Sequence, residues 1–211
     1  MNRAVTHITS WLLTAPLLSM AMATWADTPH TNYVLDVLIN PVTHELKVRT
    51  DIELPETYAG QTLEFLLTDA VEIIKAEPAV KRLPKEDNRQ GFTGINGSSV
   101  EMNDNEHAAR YQVKLPPGST TLHFTYRGTI NFALGDMKEQ YTRGFRSTAG
   151  IIGDEGIYLA GSSLWYPYLG NDLVNFKMTT NVPEGWHLIS QGNGTSRDED
   201  GMSHWDSGGA V

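Results

Sequence analysis

From about residue 31 onward the apolar residues of this chain recur at every second position, and that alternation limits its fold more than any other feature. Tyr33, Leu35, Val37 and Ile39 alternate with Val34, Asp36 and Leu38 until Asn40-Pro41 closes the run. Leu46, Val48, Thr50, Ile52 and Leu54 alternate with Lys47, Arg49, Asp51 and Glu53 as far as Pro55. A period of two sends alternate side chains to opposite faces of a strand, whereas a helix needs a period near 3.6. Two such runs joined by Asn40-Pro41-Val42-Thr43 predict an antiparallel hairpin with one buried face and one wet face.

The same logic extends along the chain. Leu63 to Leu67 and Val71 to Ile74 predict strands separated by the turn Thr68-Asp69-Ala70. Residues 78–97 are polar and predict a loop with short strand fragments. Tyr111 to Leu115 and Thr121 to Gly128 alternate again across the turn Pro116-Pro117-Gly118. Five glycines between residues 132 and 156 mark an irregular excursion, with a short helix expected around Asp136 to Thr142. Strands are expected at Ile157 to Leu159, Val174 to Val182 and Trp186 to Ser190, then a hairpin turning at Asp198-Glu199-Asp200-Gly201 with Met202 to Trp205 as its return strand. The expected fold class is all-β, an antiparallel saddle or sandwich.

Residues 1–26 read as a leader. Arg3 is followed by an apolar stretch from Trp11 to Ala21, and Thr24-Trp25-Ala26 offers a small-x-Ala cleavage pattern that leaves Asp27 as the mature start. Thr14, Pro16 and Ser19 break the stretch, which falls short of the ~20 apolar residues of a spanning helix, so no stable membrane span is expected. One domain, residues 27–211, is expected after it. The chain has no cysteine, so disulfides are excluded, and export without cysteine points to a bacterial periplasm or the exterior. The formal charge is −9 and becomes −10 once Arg3 is removed. An acidic chain without a basic cluster repels phosphate backbones, which argues against nucleic acid as a partner.

Catalytic patterns are sparse. His44-Glu45 starts like a His-Glu-x-x-His zinc string, but Val48 stands at the second ligand position on a period-two strand. His123 and His187 are the pair distant strands would have to bring together, and a zinc site needs three or four ligands. Residues 91–97 are glycine-rich without the spacing of a phosphate loop. Gly161-Ser162-Ser163-Leu164 lacks the closing glycine of a nucleophile elbow. Residues 103–106 and 198–201 are oxygen-rich but lack the full calcium-loop spacing and read as turns. No catalytic residue, metal ligand or cofactor is assigned to the chain itself.

The densest feature is Trp165-Tyr166-Pro167-Tyr168-Leu169-Gly170, with Tyr158 upstream and the run Phe176 to Gly192 downstream. Large aromatics supply core or contact surface. Tyr158, Trp165, Tyr166, Pro167 and Tyr168 are therefore the candidate inter-domain or ligand-contact residues. Glycan or peptide binding by a standalone periplasmic β-sandwich is the alternative reading, and assembly through exposed strand edges is a third.

Taken in order, four patterns resemble the N-terminal domain of the M1-family zinc aminopeptidases, the gluzincin group. These are the Tyr33-x-Leu35-x-Val37 strand with Asn40-Pro41 and the long strand to Pro55, the strand end Tyr126-Arg127-Gly128, the block Trp165-Tyr166-Pro167, and the run from Phe176 to Gly192 with its Pro-Glu-Gly-Trp turn and Ser-x-Gly ending. The resemblance implies a β-domain that packs on a thermolysin-like catalytic domain of the same polypeptide and helps wall its peptide cleft. It implies zinc in that catalytic domain, whose ligand string and Gly-x-Met-Glu-Asn strand do not occur in these 211 residues. The family's Thr-Gln-x-Glu segment is also missing, and Glu155-Gly156-Ile157-Tyr158 stands in its place. On this reading the chain is expected to be incomplete at its C-terminal end, and any peptidase activity belongs to a longer parent.

Overall fold

The computed structural model describes residues 30–85, 92–93, 99–100, 107–136, 146–170, 173–192, 194–209 and 211. The leader, the glycine-rich residues 94–98, the acidic turn 103–106 and most of the expected helix near residue 140 lie outside the described residues. Among those described, the regular elements are strands and short 3₁₀ turns. They are β1 (Thr31–Asn40), β2 (Glu45–Glu53), β3 (Thr62–Thr68), β4 (Val71–Glu77), β5 (Val80–Arg82), β6 (Phe92–Thr93), β7 (Ser99–Val100), β8 (Ala108–Lys114), β9 (Thr121–Thr129), β10 (Gly135–Asp136), β11 (Arg146–Ser147), β12 (Ile151–Ile152), β13 (Ile157–Tyr158), β14 (Val174–Thr180), β15 (Thr195–Glu199) and β16 (Met202–Asp206). The chain is all-β, as its periodicity predicts.

A seven-stranded sheet in the order β15-β16-β14-β1-β2-β9-β4 packs on a three-stranded sheet in the order β3-β8-β5. The inward set of the large sheet is the alternating set of the sequence. Tyr33, Leu35 and Val37 sit beside Ile52, Thr50 and Val48, which sit beside Leu122, Phe124 and Tyr126. The small sheet answers with Leu63, Phe65 and Leu67 from β3 and Ala109, Tyr111 and Val113 from β8. Phe65 joins the layers, stacked on Tyr111 and tilted against Phe124, with ring centroids 5.2 Å apart in both pairs. Burying each side chain of this size stabilises the fold by roughly 1.5–3 kcal/mol, so this layer dominates the core.

The opposite face of the large sheet is wet. His123 on β9 meets Asp51 on β2 at 2.6 Å, and Thr179 on β14 meets His204 on β16 at 3.2 Å. Local devices follow the sequence. The β15–β16 hairpin turns through Asp200 and Gly201, both at positive φ (51° and 73°), the backbone that matches strand twist. Residues Asp198 and Glu199, expected in the turn, extend the strand instead. In β4 the register against β9 shifts between Ile73 and Lys75, leaving Ile74 as the bulged residue.

Among the described residues the ladders are antiparallel with one exception: β1 and β14 run parallel, from Thr31 beside Val174 to Val37 beside Thr180. A parallel pair requires a long crossover, and the whole chain between these strands supplies it. One expectation needs correction: residues 186–190 form no strand. Both edges of β14 are already occupied, by β1 and β16, so the segment that follows it does not fold back on β14 as a hairpin. It turns at Pro183 to Trp186 and crosses the inner face of the sheet.

Candidate functional site

The aromatic block is placed by backbone hydrogen bonds to β3. A 3₁₀ turn at Gly161–Ser163 ends on Leu164, whose positive φ of 51° redirects the chain. Thr68 N–H donates to the Leu164 carbonyl at 2.7 Å, and Leu66 and Tyr168 exchange a pair of backbone bonds at 2.9 and 2.8 Å. Residues 164–168 thus extend the small sheet by one bridge. Tyr33 Oη donates to the Pro167 carbonyl at 3.0 Å and ties the same segment to β1.

That placement divides the candidate contact residues. Trp165 is 8% exposed and belongs to the main core, and Pro167 is buried. Tyr168 is half-buried and packs with Leu66, Ala108 and Leu164 in a satellite cluster on the other side of β3. Tyr166 is half-buried at the core margin, edge-on to Tyr33 at 5.8 Å and to Trp165 at 5.3 Å. Tyr158 is 55% exposed. Trp165 therefore shows only a small part of its ring, at a cleft wall, and not the open platform on the surface that a sugar site requires.

Tyr158, Trp165 and Tyr166 nevertheless converge on one cleft. Its floor is made by Tyr33 and Leu35 of β1 with their register partners Phe176 and Met178 of β14. One wall is the segment Ile157 to Gly161, the other Ile189 to Gln191. The enclosed space is about 320 Å³. A second lobe of about 510 Å³ adjoins it, where Trp186, His187 and Glu155 add to shared walls at Leu159, Trp165 and Met178. Trp205 Nε1 donates to the Gln191 carbonyl at 3.2 Å and holds the second wall to β16. Ile189, 84% exposed, stands at the rim.

The floor residues Tyr33, Leu35, Phe176 and Met178 were visible in the sequence as inward strand positions, but nothing local marks them as lining a cleft. Period two gives the face, not the neighbour across it. Ile189 and Gln191 were missed because residues 186–190 read as a strand.

Electrostatically the cleft is quiet. Burial raises the Tyr166 phenol above its ordinary value. Burial also holds the fully enclosed Tyr126 well above it, with Tyr33 and Tyr166 adding to the shift, and Tyr126 Oη has no hydrogen-bond partner. Among the described residues no three His, Asp or Glu side chains converge where they could hold a metal ion. His123 lies on the wet face, paired with Asp51, and His187 lines the lobe over the inner face. The residues described do not fit a zinc site.

Fold and cleft together define an all-β, two-sheet domain with an aromatic-lined cleft over its parallel strand pair. No family model matches the chain, and a search of curated proteins finds no relative. Solved structures similar to it include an M1 zinc metallopeptidase from Deinococcus radiodurans, 15% identical, covering 86% of this chain and 38% of that one, with a TM-score of 0.41. A two-domain M1 zinc metallopeptidase mutant bound to L-tryptophan matches at 15% identity over the same shares, with a TM-score of 0.43. Yeast LTA4 hydrolase in complex with bestatin matches at 11% identity over 85% of this chain and 26% of that one, with a TM-score of 0.45. The chain thus spans well under half the length of each.

Proposed function

We propose that this chain is the non-catalytic N-terminal β-domain of an exported M1-like zinc metallopeptidase, which packs on a catalytic domain of the same polypeptide and helps to wall its peptide cleft. The ordered motifs from Tyr33 to Gly192 motivate the reading. The observation that carries it is the apolar rim of the cleft, where the lining residues Tyr158 and Ile189 expose 55% and 84% of their surface. Large side chains clustered at a rim in this way mark a contact surface. Zinc and the hydrolytic groups belong to the catalytic domain, and export follows from the leader.

The gene supplies the first test. A reading frame that continues past Val211 to a His-Glu-x-x-His string supports the proposal, and an immediate natural stop refutes it. Hydrogen exchange supplies the second. In the longer polypeptide the amides around Tyr158 and Ile189 are protected relative to the isolated chain; equal exchange would place the contact elsewhere.

A further inference from the structure

We infer that the 320 Å³ lobe of the cleft is a binding site for a small organic cation whose charge sits on alkylated nitrogen. Five aromatic side chains, Tyr33, Tyr158, Trp165, Tyr166 and Phe176, line this one space. Their arrangement is that of walls rather than a stack: the Tyr166 ring lies at 82° to Tyr33 and at 76° to Trp165. An aromatic ring carries negative charge density on its faces, so rings set around a cavity attract a cation, and the attraction strengthens where water is displaced.

The rest of the lining selects the class of cation. It contains no Lys, Arg or His, so no lining side chain carries a positive charge that would repel a cation or pair with an anion. Glu155, an acidic side chain of the sign that favours a cation, lines the adjoining lobe. A primary ammonium brings three hydrogen-bond donors that need acceptors. The lining side chains with acceptor oxygens are Ser190, Gln191 and the tyrosines, and Tyr33 Oη is already bonded to Pro167. An alkylated ammonium carries no such demand, and its methyl groups suit a floor of Leu35 and Met178. The volume lies at the lower end of the ~300–1,000 Å³ typical of small-molecule sites.

This inference does not rest on the metallopeptidase reading, because it concerns the cleft of the chain alone and its test uses no peptide and no zinc. Calorimetric titration of the full chain with choline is compared with titration by 3,3-dimethylbutan-1-ol, which replaces the nitrogen by carbon at nearly the same shape. Choline is expected to bind at least tenfold more tightly. Equal affinity would make the site merely apolar and overturn the proposal, as would absence of choline binding at millimolar concentration. Tyr158→Leu alters an exposed ring and spares the core. It is expected to weaken choline severalfold more than it weakens the alcohol, which loses contact area but no cation–ring attraction; an equal loss for both, or choline affinity equal to that of the parent chain, would remove the aromatic box as the cause.

Discussion

Asn181 completes the edge of β1 with its side chain: Nδ2 donates to the Ile39 carbonyl and Oδ1 accepts the Ile39 N–H, each at 2.8 Å. The parallel ladder between β1 and β14 ends at Val37 and Thr180, one position before Asn181. The amide then reproduces the donor and acceptor of a strand residue while the backbone leaves for the Pro183 turn. Replacing Asn181 by Ala leaves both Ile39 groups without that partner and is expected to cost about 1–3 kcal/mol. Asn181→Asp keeps an acceptor for the N–H but faces the Ile39 carbonyl with a second oxygen, and is expected to cost at least as much. Urea denaturation of both variants is the check, and an alanine variant as stable as the parent would remove the role assigned here.

Tyr126 makes the opposite prediction. Its ring is fully buried and its hydroxyl has no partner. An unsatisfied buried donor costs about 1–3 kcal/mol. Tyr126→Phe keeps the ring and removes the cost, so it is expected to raise the denaturation midpoint. Tyr126→Leu is expected to lower it through the volume it loses. A phenylalanine variant less stable than the parent would show that the hydroxyl contributes a bond of its own.

Gly128 marks a close approach of β9 to the start of β4 and the turn before it. A Cβ placed there would lie 2.0 Å from the Ala70 carbonyl oxygen and 2.6 Å from Val71 Cα, both backbone atoms of the turn and strand it faces. Gly128→Ala must displace β4 from β9, at an expected cost of about 1–3 kcal/mol. Gly156→Ala is the control, since nothing lies within 4 Å of its added Cβ. Thermal unfolding of the pair should separate them clearly.

The buried phenols set an alkaline limit. Burial is the largest cause raising the Tyr111, Tyr126 and Tyr166 phenols above their ordinary value, because the charged form is disfavoured away from water. A folded-state value above the unfolded one gives stability that is fully present below pH 10 and is lost as pH rises through the folded values. Absorbance titration near 295 nm should show these three tyrosines ionising above the free-phenol value, with Tyr126 last and coincident with unfolding. Ionisation of every tyrosine in one step at the free-phenol value would contradict that ranking.

Much of the fold was legible because strand periodicity depends on neighbours two residues away. The inward set Tyr33, Leu35, Val37 and its partners on β2 could be read directly, as could the turn at Asp200-Gly201. Pairing across long distances could not. That Tyr33 lies beside Phe176 depends on which strand edge remains free, which no local pattern records. The same limit explains residues 186–190, which follow a strand whose two edges are already held by β1 and β16. It also explains the cleft. The sequence marked Tyr158, Trp165 and Tyr166 as unusual, but their floor comes from two strands 143 positions apart in register, as in the Asn32–Asn175 hydrogen bond.

That seam between β1 and β14 has a consequence for assembly of the molecule. The hairpins of β1 with β2 and of β15 with β16 are each built from nearby pieces of chain, whereas the seam must wait for its two margins to meet. Until it closes, β1 presents a bare margin with Tyr33, Leu35 and Val37 uncovered on one side, an invitation to pair with a foreign strand. A polypeptide interrupted anywhere before Val174 would keep that margin open permanently, and would be recovered as aggregate rather than as a smaller folded unit.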